Sequence, residues 1–126
     1  MSNVKFYICK HCGNLVEMVY NANVPVVCCG EKMPELVPNT VDAANEKHLP
    51  VATVDGDVVN VAVGAVTHPM ADVHYIEWVV LETENGVQRK NLKPGDAPAA
   101  SFVLNGEKPV AVYAYCNLHG LWKTEL

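Results

Sequence analysis

Near the C-terminal end of the sequence, the stretch AYCNLHGLW places Cys116 and His119 three residues apart. A thiolate and an imidazole at this close spacing are typical of a metal site. Two ligands cannot complete the coordination of a metal ion, so other parts of the chain must supply the rest. Three further histidines are the candidates, His48, His68 and His74.

All four of these histidines fall in predicted loops or at the ends of predicted strands. His48 ends a linker, and His119 follows the strand that carries Cys116. His68 and His74 bracket the loop HPMADVH between two strands. Such positions allow residues from distant strands to meet at one edge of a sheet. Each histidine alone also has an ordinary interpretation as a surface or core residue, so spacing leaves a shared site as one of two alternatives.

If these residues converge, they offer four imidazoles and one thiolate. Zinc is satisfied by four ligands, so a set of five favours a metal of higher coordination number, and iron with one open position fits best. A thiolate opposite the open position donates electron density across the metal toward whatever binds there. The predicted chemistry is the one-electron reduction of a small oxygen ligand.

Glu46 and Lys47 directly precede His48. Their ordinary interpretation is two charges on the protein surface. Beside an open iron site, Lys47 would attract a small anion and offset locally the net charge of −5. Glu46 could reach the open position as a carboxylate ligand in the absence of substrate, and either side chain could orient water for proton delivery.

The remaining four cysteines lie within the first 29 residues and form a second candidate metal site. They are Cys9 and Cys12 in CKHC, followed by the adjacent pair Cys28 and Cys29. Four thiolates bind a tetrahedral ion, and a total of five cysteines argues against a disulfide framework. Zinc and iron both accept this set, but the adjacent pair departs from the double CxxC of a zinc ribbon and favours iron. His11 is expected to face solvent.

The elements that must position these residues are predicted to be mainly β-strands. Residues 1–36 contain the short strand-like runs VKFYI and LVEMVY and are too few to build a large core, so metal binding would supply folding free energy. From about residue 49, alternating valine-rich runs separated by turn signals predict about seven strands of an antiparallel sandwich or barrel. We therefore predict two domains, 1–36 and 37–126. The large aromatic residues are expected in the core or an interface: Trp78, Tyr113, Tyr115 and Trp122.

Composition limits the possible partners of the protein. A net charge of −5 disfavours nucleic acid and anionic membrane surfaces. No run approaches the roughly 18 apolar residues of a membrane span. The stretch MSNVKFYICKHCGN lacks the pattern of a secretory signal, so we expect a cytoplasmic protein.

Over essentially its full length, the chain resembles the desulfoferrodoxin family, the two-iron form of superoxide reductase. The matching segments are CKHCGN, VVCCGEKM, TVDAANEKHLPV, VGAVTHPMADVHYIEW and AYCNLHGLWK. The resemblance implies a small desulforedoxin-like domain followed by an immunoglobulin-like seven-strand sandwich, usually in a homodimer. It also implies one-electron reduction of superoxide to hydrogen peroxide without release of oxygen, with electrons from a reduced rubredoxin or a similar donor.

The resemblance further implies the ligands of two iron ions per chain. A rubredoxin-like iron would be held by Cys9, Cys12, Cys28 and Cys29. The catalytic iron would have four equatorial ligands, His48, His68, His74 and His119, and Cys116 as the axial one. Glu46 stands where relatives have a carboxylate that ligates the oxidised iron, and Lys47 where they have a lysine that guides superoxide and assists protonation.

Two other functions remain open at this point. One is a rubredoxin-like electron carrier in which only the four-cysteine iron is active, and the other is a zinc-stapled binding module. The intact five-ligand set argues against both. Colour distinguishes them, because zinc is colourless, a lone four-thiolate iron is red, and a second oxidised iron with a thiolate ligand absorbs at longer wavelength.

Overall fold

The computed structural model of the chain describes residues 4–40 and 47–126. By its internal contacts the chain divides into two compact units, Met1–Val37 and Pro38–Leu126. Throughout the described ranges the regular structure consists of β-strands. None of the described residues belongs to a helix long and apolar enough to cross a membrane.

The first unit consists of two small antiparallel hairpins. Strand β1 (Phe6–Ile8) pairs with β2 (Leu15–Glu17), and β3 (Val27–Cys28) pairs with β4 (Glu31–Lys32). The first pair falls in the two predicted runs, whereas the second pair was not predicted, because strands of two residues carry no recognisable alternation. Only three apolar side chains among the described residues of this unit are buried, Phe6, Cys9 and Met33.

The second unit contains seven strands among residues 47–126, in agreement with the number predicted. They are β5 (Pro50–Asp55), β6 (Val58–Val63), β7 (Ile76–Thr83), β8 (Gly86–Asn91), β9 (Ala99–Val103), β10 (Pro109–Cys116) and β11 (Gly120–Glu125). One sheet has the order β5-β6-β9 and the other the order β11-β10-β7-β8, and all pairs are antiparallel. The predicted mainly β fold is therefore confirmed.

Alternation of side chains explains how the two sheets share one core. In β6, Val59, Val61 and Val63 are buried while the residues between them face solvent. Phe102 of β9 joins them from the same sheet. The opposite sheet contributes Val79, Leu81, Val112 and Ala114 to the same cluster. Apolar contacts across the two inner faces therefore make this unit a sandwich.

The pairing of β7 with β10 brings two loops to one edge of the sandwich. Cys116, the last residue of β10, pairs with Ile76, the first residue of β7, and also with Gly120 of β11. A shift of register between Tyr115 and Cys116 leaves Glu77 as the extra residue of a β-bulge. The loop before β7 and the loop after β10 therefore lie side by side.

Candidate metal centres

The four cysteines of the first unit come together as predicted from their spacing. Their sulfur atoms all lie within 4.8 Å of one another, and all five cysteines of the chain are free thiols. Cys9 is buried, whereas Cys12 and Cys29 are exposed. The group therefore lies at the surface of its unit, with one edge accessible to solvent.

Two tight turns of the backbone form this group. In the first, the Cys9 amide donates to the Asn14 carbonyl at 2.8 Å and the Gly13 amide donates to the Cys9 carbonyl at 2.9 Å. In the second, Cys29 and Gly30 both adopt a left-handed conformation, with φ of 52° and 78°. That conformation costs a non-glycine residue of the order of 1 kcal/mol, and it allows adjacent cysteines to direct both sulfur atoms to one point.

The distances and acidities fit a tetrahedral ion bound by sulfur. Two sulfurs of a tetrahedron with metal–sulfur bonds of about 2.3 Å lie about 3.8 Å apart, and the Cys12 and Cys28 Sγ atoms are 3.7 Å apart. The Cys12 backbone amide lowers the pKa of Cys9 to about 6. Hydrogen bonding of the protonated thiol to Cys12 raises the pKa of Cys29 to about 12. A cation is therefore needed to hold all four residues as thiolates.

At the edge of the sandwich, the four predicted histidines form a closed ring of contacts. Neighbouring imidazoles meet edge to face, with centroids 4.7 to 5.1 Å apart and interplanar angles of 69° to 79°. The order around the ring is His48, His68, His74, His119 and back to His48. The structure thus brings together the four side chains that spacing alone could not assign to a shared site.

Cys116 lies beside this ring and completes the cluster. The candidate ligand atoms of His48, His68, His74 and Cys116 all lie within 4.8 Å of one another. His119 is outside that tight group but in direct contact with it. Its Nδ1 atom is 3.0 Å from His48 Nε2 and 3.7 Å from Cys116 Sγ.

Burial within the cluster increases from the histidines at the surface to the cysteine. Cys116 is 0% exposed and belongs to the sandwich core, and His68 is 1% exposed. His74 is half-buried and His119 is exposed. A metal ion in the cluster would therefore have its thiolate on the side of the core, and a small molecule would approach from the histidine side.

The protonation state of the buried histidines suits metal binding. The Nδ1 atom of His68 lies 2.7 Å from the Pro69 carbonyl oxygen, which can only accept, so Nδ1 carries the proton and Nε2 the lone pair. Burial lowers the pKa of His68 to about 4 and also lowers the pKa of His74. Both imidazoles are therefore neutral near pH 7, as metal ligation requires.

Two further observations show that the residues fit a metal ion. The Nε2 atoms of His68 and His74 are buried without a hydrogen-bond partner among the described residues, although such atoms are rarely left unsatisfied. Two nitrogens bound at right angles to one metal at about 2.1 Å lie about 3.0 Å apart. The Nε2 of His48 and the Nδ1 of His119 are separated by this distance, 3.0 Å.

Two opposing influences act on the pKa of the Cys116 thiol. Burial raises the pKa of Cys116, while hydrogen bonds from the backbone amides of Leu118 and His119 lower it. These amides belong to the loop between Cys116 and Gly120, and Gly120 adopts the left-handed conformation, with φ of 84°, that closes a three-residue hairpin loop. The hairpin thus supplies two possible ligands and two hydrogen bonds to one of them.

The charged residues beside His48 are only partly described. Lys47 is half-buried, and its positive charge is one of the causes that lower the pKa of His74, after burial and two neighbouring histidines. The Lys47 ammonium group is therefore close enough to act on this cluster electrostatically. Glu46 lies outside the described residues. His11 is exposed as expected, and its Nε2 is 3.1 Å from a Glu31 carboxylate oxygen.

Two further residues, Trp122 and Asn117, belong to this site although neither was predicted as a ligand or a catalytic residue. Trp122 was expected in the core or an interface, but it is half-buried and stacks on His48, with centroids 4.6 Å apart and an interplanar angle of 17°. Its indole N–H also donates to the His119 carbonyl at 3.2 Å. Asn117 connects the two loops of the cluster through hydrogen bonds. The signal in the sequence was their position in AYCNLHGLW, where Asn117 directly follows Cys116 and Trp122 comes three residues after His119.

The metal-free sandwich should lose stability as the pH falls from about 6.5 to about 4. Because the pKa of His68 is lowered to about 4 from 6.5, the unfolded chain binds a proton in this window that the folded chain does not. His68 accounts for a decrease of the order of 3 kcal/mol in the free energy of unfolding. Above about pH 6.5 this decrease does not occur. Tryptophan fluorescence during denaturant titration reads this unit, since both tryptophans belong to it.

Two variants distinguish the effect of His68 protonation on stability from general effects of acid. His68→Gln should flatten the pH dependence, whereas His11→Gln, which removes an exposed histidine of the first unit, should not. An unchanged pH dependence in His68→Gln would show that the burial of this imidazole is not the cause.

The chain is similar to several known proteins. The family model described as Desulfoferrodoxin matches residues 40–125. The chain is 46% identical to the desulfoferrodoxin of Nitratidesulfovibrio vulgaris over 121 residues, covering 96% of this chain and 95% of that one. It is 45% identical to a desulfoferrodoxin homolog of Archaeoglobus fulgidus, covering 96% of both chains.

A solved structure extends this similarity to three dimensions. The crystal structure of the superoxide reductase from Treponema pallidum matches with a TM-score of 0.81 and 35% sequence identity, covering 98% of each chain. Because the family model spans most of the chain and the relatives span nearly all of it, the chain belongs to the desulfoferrodoxin family.

Proposed function

We propose that the protein is a superoxide reductase, which reduces superoxide to hydrogen peroxide with one electron and two protons and releases no oxygen. The observation that carries this proposal is the closed ring of four imidazoles beside the buried thiol of Cys116. We assign iron to both groups of ligands. The second iron has the ligands His48, His68, His74, His119 and Cys116, and the first has Cys9, Cys12, Cys28 and Cys29.

Ferrous iron held by the four histidines and Cys116 would supply the electron that superoxide accepts. The protein residues determine how the substrate reaches that position and how the metal is tuned. The Cys116 thiolate donates electron density from the side of the core, and the amides of Leu118 and His119 moderate this donation through hydrogen bonds. Because burial lowers the pKa of His68 and of His74, these two imidazoles are neutral near pH 7 and add no positive charge that would trap an anion. Solvent at the exposed His119 side provides the protons that the product requires.

The first iron is proposed to receive and relay electrons. The exposure of Cys12 and Cys29 supports this role, because a donor protein can approach that edge of the group closely. We infer a rubredoxin or a similar carrier as the donor, a homodimer as the assembly and the cytoplasm as the location. Residues 1–36 are proposed as the desulforedoxin-like domain and 37–126 as the immunoglobulin-like one. Glu46 remains our predicted carboxylate ligand of the oxidised iron.

The products of the reaction test this function. Superoxide generated in the presence of the reduced protein and an electron donor should yield one hydrogen peroxide for each superoxide consumed, with no oxygen released by the enzyme. A dismutase would release one oxygen for every two superoxide ions. A simple electron carrier would not accelerate the loss of superoxide at all, so either of these results would exclude the proposal.

Replacing Lys47 by alanine should slow the encounter with superoxide. At low ionic strength we expect the second-order rate constant to fall by about three- to tenfold, because a positive charge near the histidine cluster raises the local concentration of an anion there. The difference should shrink as salt is added, since the Debye length is only about 10 Å at 0.1 M. Pulse radiolysis over a series of ionic strengths measures both effects.

Lys108→Ala is a matched control for this charge change. Lys108 precedes β10, at the opposite end of that strand from Cys116, and its side chain is 78% exposed. Its removal should leave the rate constant close to that of the wild type. Equal rates for Lys47→Ala and Lys108→Ala at low salt would contradict electrostatic guidance by Lys47.

A further inference from the structure

Asn117 connects the two loops that carry candidate ligands of the second iron. Its side-chain Oδ1 accepts a hydrogen bond from the Tyr75 amide at 2.9 Å, and its Nδ2 donates to the Val73 carbonyl at 3.1 Å. Its own backbone amide donates to the Tyr75 carbonyl at 3.2 Å. Three hydrogen bonds thus join one residue of the 117–119 loop to the two residues that flank His74.

The chemistry of the partners requires an asparagine side chain at this position. A backbone amide can only donate and a backbone carbonyl can only accept, so the orientation of the Asn117 amide is fixed by its partners. Aspartate has the same shape but would place a carboxylate oxygen against the Val73 carbonyl. Leucine has a similar volume but would make neither side-chain bond. The two substitutions therefore remove one or both side-chain hydrogen bonds with little change in size.

The turn that carries His74 is attached to the sandwich on either side, through Met70, which packs against the core, and through Ile76, which pairs with Cys116. Within the turn, Ala71 and His74 exchange two backbone hydrogen bonds, of 3.0 and 3.1 Å, so the turn is closed on itself. The contacts of Met70 and Ile76 lie outside the turn, whereas the hydrogen bonds of Asn117 reach the two residues directly beside His74. Asn117 lies between Cys116 and His119 in the sequence. Its hydrogen bonds therefore link the His74 turn directly to the loop that carries these two candidate ligands.

We propose that Asn117 is a positioning residue that holds the His74 imidazole at the distance from Cys116 and His119 that one metal ion requires. This inference rests on the proposed function only in assigning iron to the cluster. Asn117 itself makes no contact with substrate in this proposal. Its effect is to fix the ligand geometry before the metal binds, so that metal binding need not order the His74 turn.

The test measures ferrous affinity in the full-length chain with both units present. Asn117→Leu should weaken iron binding at the histidine cluster by about 10- to 100-fold, in the range found when partners of metal ligands are removed. Asn117→Asp should weaken it as well, despite its identical shape. Competition with a ferrous chelator under anaerobic conditions measures the affinity. The red chromophore of the first iron reports that the remainder of the protein is intact.

Asn60→Leu is the matched control. Asn60 is an exposed residue of β6 in the opposite sheet, where its side chain accepts a hydrogen bond from Ser101 at 2.6 Å. This variant should bind iron at the histidine cluster as the wild type does.

Comparing thermal unfolding with and without the second iron distinguishes positioning from a general structural role. Positioning predicts that iron raises the midpoint less in the Asn117 variants than in the wild type. Equal lowering of the midpoint in both forms with unchanged iron affinity would overturn the proposal. If Asn117→Leu does not fold, the affinity of Asn117→Asp decides. Because metal binding is the readout, inactivity of the wild type toward superoxide would refute the proposed function without bearing on Asn117.

Discussion

Replacing Cys116 by serine is expected to abolish superoxide reduction while the protein remains red. The rate should fall by at least about a hundredfold, because the loss of a ligand exceeds the effect of losing a partner of a ligand. A serine hydroxyl is a far weaker electron donor than a thiolate, and at this position it would be buried in an apolar core. Pulse radiolysis gives the rate, and the visible spectrum shows whether the thiolate absorption of the second iron has been lost.

The first iron is an internal control for this experiment. Its four cysteines belong to the other unit, so the red absorption should persist with unchanged intensity. Metal analysis should still find the first iron in full amount. A Cys116→Ser protein that reduces superoxide at the wild-type rate would refute the role of this thiolate.

Replacing Cys28 by serine should remove the red chromophore and unfold the first unit. This unit has strands of only two or three residues and three buried apolar side chains among its described residues. Metal binding must therefore supply most of its folding free energy, and structural metal ions contribute of the order of 10 kcal/mol in small units. Limited proteolysis should cut the variant within residues 4–37 under conditions in which the wild type resists.

Activity measured with a small-molecule reductant shows whether superoxide reduction at the second iron depends on the first iron. We expect Cys28→Ser to reduce superoxide within about twofold of the wild type under such conditions, since the two groups of ligands share no residue and belong to different units. His11→Gln is a suitable control, because this exposed neighbour of Cys12 is not a predicted ligand, and that variant should stay red. A Cys28→Ser protein that keeps its red colour and its resistance to protease would contradict the assignment of Cys28.

The strands of the sandwich were predictable because each obeys a simple rule. The alternation of β6 follows from one buried face, and Asn85-Gly86 and Asn105-Gly106 mark turns between strands. The β3–β4 hairpin escaped prediction, because its geometry depends on the left-handed Cys29 and Gly30 and not on any pattern of side chains. The bulge at Glu77 was also unpredictable, since it arises from the registry of two distant strands.

The residues of the histidine cluster could be proposed from the sequence, but their arrangement in space could not. Residue types and loop positions identified the four histidines and Cys116. Their cyclic order depends on how the two sheets pack and on how β7 and β10 pair, which no local pattern encodes. The stacking of Trp122 on His48 and the hydrogen bonds of Asn117 join residues that are 74 and 42 to 44 positions apart, so neither could be read from neighbouring sequence.

Anomalous X-ray diffraction from crystals of the anaerobically purified, reduced protein tests the central claim most directly. Data collected above and below the iron absorption edge should show two iron peaks in each chain. One peak should lie among the four cysteine sulfurs, and the other should lie at bonding distance from Cys116 Sγ and from one nitrogen each of His48, His68, His74 and His119. A zinc ion bound by only four of these five residues, or a histidine cluster with no anomalous peak, would contradict the account.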